Sequence, residues 1–254
     1  MSVMSGTTTP GATAPRTARP AGGAVDGRRR RLIGPETYEM VFGTIYTGLA
    51  TNMLLVIACL PAAFLLVATD IATTWPALVA TAPLAGPALA ATSAVFGEFS
   101  GAGSATPVRT FARAWRRYLG RGLAVGATAT GVVGVLVVDI AFFWGRTAGA
   151  VVIPVLATLT AGTVVTAFLT LTLLPERPAA RLRDLLRAGL FLGARRWYLS
   201  AGILVLLVLL ASVVTARPAV GLGFAAAPLL YAAWGAARFA LRTPAVPDSP
   251  PRTP

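Results

Sequence analysis

Six stretches of the chain, each 20 to 29 residues long, carry no basic side chain, and between them they hold a single acid. A helix rises 1.5 Å per residue, so about 20 apolar residues suffice to cross roughly 30 Å of hydrocarbon. The stretches are Val41–Thr69, Ile71–Gly97, Gly122–Gly145 with the acid Asp139, Thr147–Pro175, Trp197–Ala216 and Pro218–Ala237. They occupy about three-fifths of the 254 residues and leave no length for a separate soluble domain. Composition agrees: 56% hydrophobic, 12% charged and a mean hydropathy of +0.72 are too apolar for an ordinary soluble domain. The pattern predicts an all-α polytopic membrane protein with six transmembrane helices, with Trp75-Pro76 marking the turn into the second.

Arginine placement sets the orientation. The cationic charge is 22 Arg and no Lys, against 9 acids, for a net +13. The N-terminal region holds Arg16, Arg19 and Arg28 to Arg31, and the segment between spans two and three holds Arg109, Arg113, Arg116, Arg117 and Arg121. Between spans four and five lie six more, from Arg177 to Arg196, and three follow the last span, Arg238, Arg242 and Arg252. Six crossings put 20 of the 22 on one side and leave Arg146 and Arg217 opposite. Short cytoplasmic flanks collect positive charge, so both termini are expected in the cytoplasm of a cell-membrane protein. A basic nucleic-acid binder would gather this charge on one folded platform, and here it is divided among membrane flanks.

Residues 1–36 are rich in Pro, Gly, Thr and Ala and lack apolar periodicity, as expected of a disordered tail; 243–254 is read likewise, leaving 37–242 as the membrane domain. The arginine run before Leu32 loosely fits an export signal, but the apolar stretch beyond it is long and lacks a clear cleavage site; a cytoplasmic anchor touching anionic headgroups is the simpler reading.

With no His and one Cys, the chain cannot build a zinc site, a disulfide or a His-dependent triad, and no Lys is present for a Walker A loop. No enzyme activity, cofactor or metal is expected. Gly221-Leu222-Gly223-Phe224-Ala225-Ala226 satisfies a loose dinucleotide-binding pattern, but it sits in an apolar span with no strand before it and no acid after it. Cys59 reads as a small packing residue.

The two basic loops are expected to form amphipathic helices on the membrane surface, each followed by a turn inward. In the first, Phe111, Trp115 and Leu119 would share one face. A shift of 80 residues pairs Phe111 with Phe191, Ala114 with Ala194, Arg116 with Arg196, Tyr118 with Tyr198, Leu119 with Leu199, Gly122 with Gly202 and Val125 with Val205, the pattern of a duplicated unit. Arg113, Trp115, Arg116, Arg117, Arg195, Arg196 and Trp197 are the candidates for contact with a partner or lipid headgroups.

Inside the spans, candidate substrate contacts are few. Asp139 could relay a proton or cation, reach the outer interface, or pair with Arg146. Asn52 could bond a neighbouring helix. Pro76, Pro83 and Pro87, with Gly86, must interrupt the second span, and a broken helix can offer carbonyls to a solute. Gly122, Gly126, Thr130 and Gly134 make a smooth ridge suited to close helix packing.

Asn52 and Pro61 in the first span, the run Pro83-Leu84-Ala85-Gly86-Pro87-Ala88-Leu89-Ala90-Ala91-Thr92 in the second, and Phe111 to Gly122 together resemble the YesL-like family of bacterial integral membrane proteins, over roughly residues 36 to 240. That resemblance implies an accessory or assembly component of a membrane transport system, with permease subunits of carbohydrate ABC uptake as partners. The alternative is a small transporter or an ABC permease-like subunit that itself moves a solute. Glu176, Ala179, Ala180 and Gly189 faintly match a permease coupling loop, although the Ile-x-Leu-Pro that would follow is missing.

Overall fold

The structure, a computed structural model, describes residues 35–69, 71–102 and 106–241; it is all-α, with no strand among the described residues. Of the expected tails, 1–36 and 243–254, only Pro35 and Glu36 fall within these bounds, as the opening of the first helix; the rest lies outside the described residues. The chain divides into Met1–Tyr38 and a body, Glu39–Pro254, that holds every element beyond the start of that helix.

Proline placement explains most of the breaks. Helices α1 (Pro35–Ala58) and α2 (Leu60–Ala68) meet at 83° around Cys59, where one unbroken span was expected over Val41–Thr69. Pro61 has no N–H for the Ile57 carbonyl and its ring crowds that carbonyl, so the helix cannot run straight through. The turn into the second span, expected at Trp75-Pro76, comes earlier, between the end of α2 at Ala68 and the start of α3 (Ile71–Thr81), which runs on through Pro76; the interruption expected within that span is a 3-10 turn at Ala82–Leu84, before α4 (Ala85–Ala102). Pro83 and Pro87 both occupy the first turn of their elements, where an N–H has no intrahelical partner to lose.

The basic loops correct the expectation in one case. Helix α5 (Pro107–Phe143) is continuous for 37 residues, about 55 Å, so the basic segment is collinear with the third span and does not turn onto the surface. Buried Phe111, Ala114, Tyr118, Gly122 and Val125 form one stripe that crosses from the arginine-rich half into the apolar half, and a shared packing face keeps both halves on one axis. The expected face is displaced: Trp115 is half-buried and Leu119 exposed. After α6 (Gly149–Glu176), the second basic loop does form its own helix, α7 (Leu182–Arg195), which ends at Arg196 before α8 (Trp197–Ala216). The sequence repeat is therefore not repeated in structure. Phe111 and Tyr118 are 4% and 6% exposed, whereas Phe191 and Tyr198 are 63% and 55% exposed.

The chain closes with a single turn, α9 (Pro218–Val220), a π-helical turn at Gly221–Ala225, and α10 (Ala226–Leu241). Five helical segments are long and apolar enough to cross a membrane: Thr73–Gly101, Pro107–Phe143, Gly149–Glu176, Trp197–Ala216 and Pro218–Ala240; the bent α1–α2 pair makes a sixth if counted as one span. Their outer surface carries large apolar side chains, Phe42, Met53, Phe64, Val138, Val151 and Val205 among them, all more than 60% exposed, a surface made for lipid.

Helix α4 is the hub. Ala88 and Phe96 belong to one buried cluster with Phe168, Ile203 and Trp234, while Ala90, Ala91 and Val95 belong to a second with Phe111, Tyr118 and Leu174. Hydrocarbon gives helices no hydrophobic drive to associate, so close packing of small side chains must hold them. Glycine supplies that fit between α4 and α5. A Cβ on Gly122 would come 2.7 Å from Pro87 Cα, one on Gly126 2.5 Å from the Pro83 carbonyl oxygen, and one on Gly86 would run into the Gly122 carbonyl.

Gly122→Ala should therefore lower the thermal midpoint of the detergent-solubilised protein by about 2–10 °C, from roughly 1–3 kcal/mol of overpacking. Gly131→Ala on the same helix, where a Cβ meets nothing within 4 Å, should leave the midpoint unchanged or raise it. Equal midpoints for the two variants would contradict the close α4–α5 approach.

Candidate functional site at the arginine-rich end

Five of the sequence-derived candidates were proposed as substrate contacts, and the structure distributes them over three places. Asn52 on α1 is buried, and both ends of its amide are engaged: Nδ2 donates to the Gly223 carbonyl at 2.9 Å, and Oδ1 accepts from the Ala227 N–H at 2.6 Å. Gly223 and Ala227 are four residues apart, the pair that would bond each other in a regular α-helix. The π-helical turn separates them, and the Asn52 side chain bridges the gap. The run Gly221 to Ala226, which resembles a dinucleotide-binding pattern in sequence, is thus a helix irregularity completed by Asn52.

Pro83, Gly86 and Pro87 form the close contact with α5. Gly86 also lines an apolar cavity of about 530 Å³ between α3, α4, α5, α6 and Leu207 of α8, which Thr130 and Gly134 border as well. Asp139 lies half-buried near the far end of α5. The ion pair with Arg146 does not form: Arg146 stacks over the Phe142 ring at 3.8 Å, and the one ion pair among the described residues lies elsewhere.

That ion pair belongs to the arginine-rich end. Arg238 near the end of α10 holds Glu176 at the end of α6, Nε to Oε1 3.0 Å, and its Nη1 donates to Ser100 Oγ on α4 at 3.0 Å. Arg196 Nη1 donates to the Phe239 carbonyl at 3.0 Å, and Arg121 Nη1 to the Pro178 carbonyl at 2.8 Å. Glu98 on α4 accepts from Thr110 Oγ1 on α5 at 2.5 Å. These contacts gather the ends of α4, α6 and α10 and the starts of α5 and α8 into one polar cap. Twelve of the fourteen arginines among the described residues lie on the segments at this end; Arg146 and Arg217 lie on the short connections at the other.

Within the cap, Ser93, Gly97 and Glu98 of α4, Thr110, Arg113, Arg117 and Tyr118 of α5, and Pro175 and Glu176 of α6 enclose a groove of about 300 Å³. Its carboxylates are held by Thr110 and Arg238. Arg113 and Arg117 are one helical turn apart, exposed, and without a hydrogen bond or ion pair among the described residues; Arg117 lies 5.8 Å from the Tyr118 ring. The other contact candidates do not enter the groove. Arg116 and Arg195 are exposed, Trp197 is 73% exposed at the start of α8, and Trp115 packs at the edge of the core.

Sequence reasoning proposed Arg113 and Arg117 for headgroup or partner contact but missed Glu98, Thr110, Ser100 and Arg238. The available signal was the placement of Glu98 and Glu176, each directly after a long uncharged stretch. Among the described residues no three acidic or thiol side chains gather as metal ligands would. No protein-family model matches the chain, and no characterised protein or solved structure matches it either.

Asn52→Leu should leave the Gly223 carbonyl and the Ala227 N–H without partners inside the membrane body and cost about 1–3 kcal/mol. The expected signature is faster hydrogen exchange at the Ala227 amide, with a lower thermal midpoint. Met53→Leu, at the exposed neighbouring position, should change neither. Unaltered protection at Ala227 in Asn52→Leu would rule out the bridging role.

Proposed function

We propose that this chain is a non-enzymatic, multi-pass protein of the cell membrane with both termini cytoplasmic, serving as an accessory or assembly component of a membrane transport system. The observation that carries the reading is where rigid polarity lies. The first half of α5 extends the third span beyond its apolar part as a continuous arginine-bearing helix, braced by α4 and by the cap that Arg238 and Arg196 tie together. Such a platform presents cationic side chains from a fixed helix to headgroups and to a partner. The resemblance to the YesL-like family supplies the partner class, a permease subunit of carbohydrate ABC uptake.

Six crossings are supported by the course of α1 and α2. Thr47 and Gly48 of α1 border a small cavity with Phe99 and Tyr231, towards the arginine-rich end, Asn52 meets the π-helical turn, and α2 packs against α9 beside Arg217. A chain taking that course travels from one face to the other, and the positive-inside bias then assigns the arginine-rich end to the cytoplasm.

The alternative, a small transporter or permease-like subunit that moves a solute itself, rests on the cavity beside Gly86. Its wall is almost wholly apolar and suits a hydrocarbon group better than a sugar.

Crosslinking of the full-length protein in native membranes should recover an ABC permease subunit, and Arg116→Glu with Arg195→Glu should cut that recovery about tenfold without altering expression. Reporters fused to the two termini should both read as cytoplasmic. Recovery of the chain alone, together with solute flux in liposomes that Asp139→Asn abolishes, would replace this reading with the carrier.

A further inference from the structure

The groove at the arginine-rich end has a defined depth, a net charge and an unused pair of donors, and these select a ligand class. The last arginine of α5 before its apolar half is Arg121, so the hydrocarbon boundary falls near Gly122. Arg117 then stands about 7 Å beyond that boundary along the helix, at the outer edge of the layer where headgroup phosphates lie, and Arg113 about 13 Å beyond it, one turn farther towards water. The lining sets Arg113 and Arg117 against Glu98 and Glu176, and Arg238, which stands outside the lining, pairs with Glu176, so the groove together with that partner carries one net positive charge. Glu176 is neutralised by Arg238 and Glu98 is held by Thr110, so the two groove-lining arginines are the unsatisfied partners.

We propose that this groove is a specific site for a phospholipid headgroup of the phosphatidylglycerol class. A phosphodiester carries one negative charge, equal and opposite to that of the groove. Its two non-bridging oxygens would take charge-assisted hydrogen bonds from Arg113 and Arg117, as guanidinium and phosphate geometry favours. The hydroxyls of a neutral polyol head would donate to the oxygens of Glu98 and Glu176 that Thr110 and Arg238 leave free. Choline has no hydrogen to donate and makes the head neutral; ethanolamine can donate to the carboxylates but also leaves the head neutral overall, so neither supplies the negative charge that balances the groove. Ala94, Gly97, Ala114 and Pro175 line the remainder, and a Cβ on Gly97 would meet nothing within 4 Å, so the α4 wall leaves room for the head. The inference rests on the reading that this end faces a lipid boundary and adds a discrete site to it.

The test is native mass spectrometry of the delipidated full-length protein, titrated separately with phosphatidylglycerol, phosphatidylethanolamine, phosphatidylcholine and water-soluble glycerophosphoglycerol. Phosphatidylglycerol should bind at least about tenfold more tightly than phosphatidylcholine, and Arg113→Ala or Arg117→Ala should each weaken it about tenfold, the loss of one charge-assisted hydrogen bond. Arg187→Ala, the same charge removed from an exposed position on α7 outside the groove, should stay within about twofold of the wild type. Gly97→Leu, which fills the groove without touching its charge, should abolish the preference and serves where an arginine variant fails to fold.

An equal loss in Arg187→Ala, or no preference over phosphatidylcholine, would reduce the site to a diffuse basic surface and overturn the proposal. Binding of glycerophosphoglycerol as tight as that of the lipid would overturn the assignment to a membrane ligand. None of these results depends on recovery of a permease partner, so failure here and failure of the accessory role are told apart.

Discussion

Hydrocarbon offers no hydrogen bonds, and that fact governs every feature of this fold. Each backbone N–H and carbonyl within the membrane must find its partner inside the protein, which is why the described chain is helical and why its irregularities matter. At the 3-10 break the Thr81 hydroxyl donates to the Ala77 and Leu78 carbonyls. At the π-helical turn Asn52 reaches across from another helix to serve both orphaned groups. The buried hydroxyls obey the same rule: Thr51, Thr92, Thr170 and Thr172 each donate to the carbonyl one turn earlier in their own helix. No buried side-chain polar atom among the described residues lacks a partner. Polarity inside this body serves the backbone, and polarity available for recognition is at the arginine-rich end.

The positions of the spans were legible in the sequence because they follow from charge and length alone, two quantities that need no tertiary information. The breaks were less legible. Proline limits where a helix can bend without fixing where it will: Pro76 is accommodated within α3, whereas Pro61 and Pro83 sit at real breaks. What decides among them is packing, since the turn at Pro83 is the one that lies against Gly126. The continuity of α5 was hidden for the same reason. A switch from basic to apolar composition resembles a boundary between a surface helix and a span, and only the uninterrupted stripe from Phe111 to Val125 shows that one helix holds both.

The apparent duplication illustrates how identity and environment separate. Phe111 and Phe191, or Tyr118 and Tyr198, are the same side chains at the same offset, yet the first of each pair packs against α4 and its surroundings while the second is largely exposed. The decisive difference is the company each segment keeps. The first basic stretch has an antiparallel small-residue helix beside it that makes room for its aromatic rings; the second folds back along α6, where Gly189 approaches Thr166 and Thr170 and leaves Phe191 outside. Likewise the groove could not be read from the arginines alone, because its acids come from α4 and α6, some 78 residues apart in sequence.

One helix joins the membrane contact to the polar cap, and this has a mechanical consequence. At its start α4 is fixed to α5 through Gly86 and Pro87 against Gly122; about 11 residues later it supplies Gly97 and Glu98 to the groove and Ser100 to Arg238. Between these points its side chains are buried on both flanks by Ala88, Ala90, Ala91, Val95 and Phe96. A segment so enclosed has little freedom to tilt or slide independently of α5. The spacing between Glu98 on one wall and Arg113 and Arg117 on the other is therefore set by glycine contacts near the hydrocarbon boundary. A groove held in this way has a preset backbone frame: the helices need not move together when a ligand arrives, and the ordering left to pay for is that of the exposed Arg113 and Arg117 side chains.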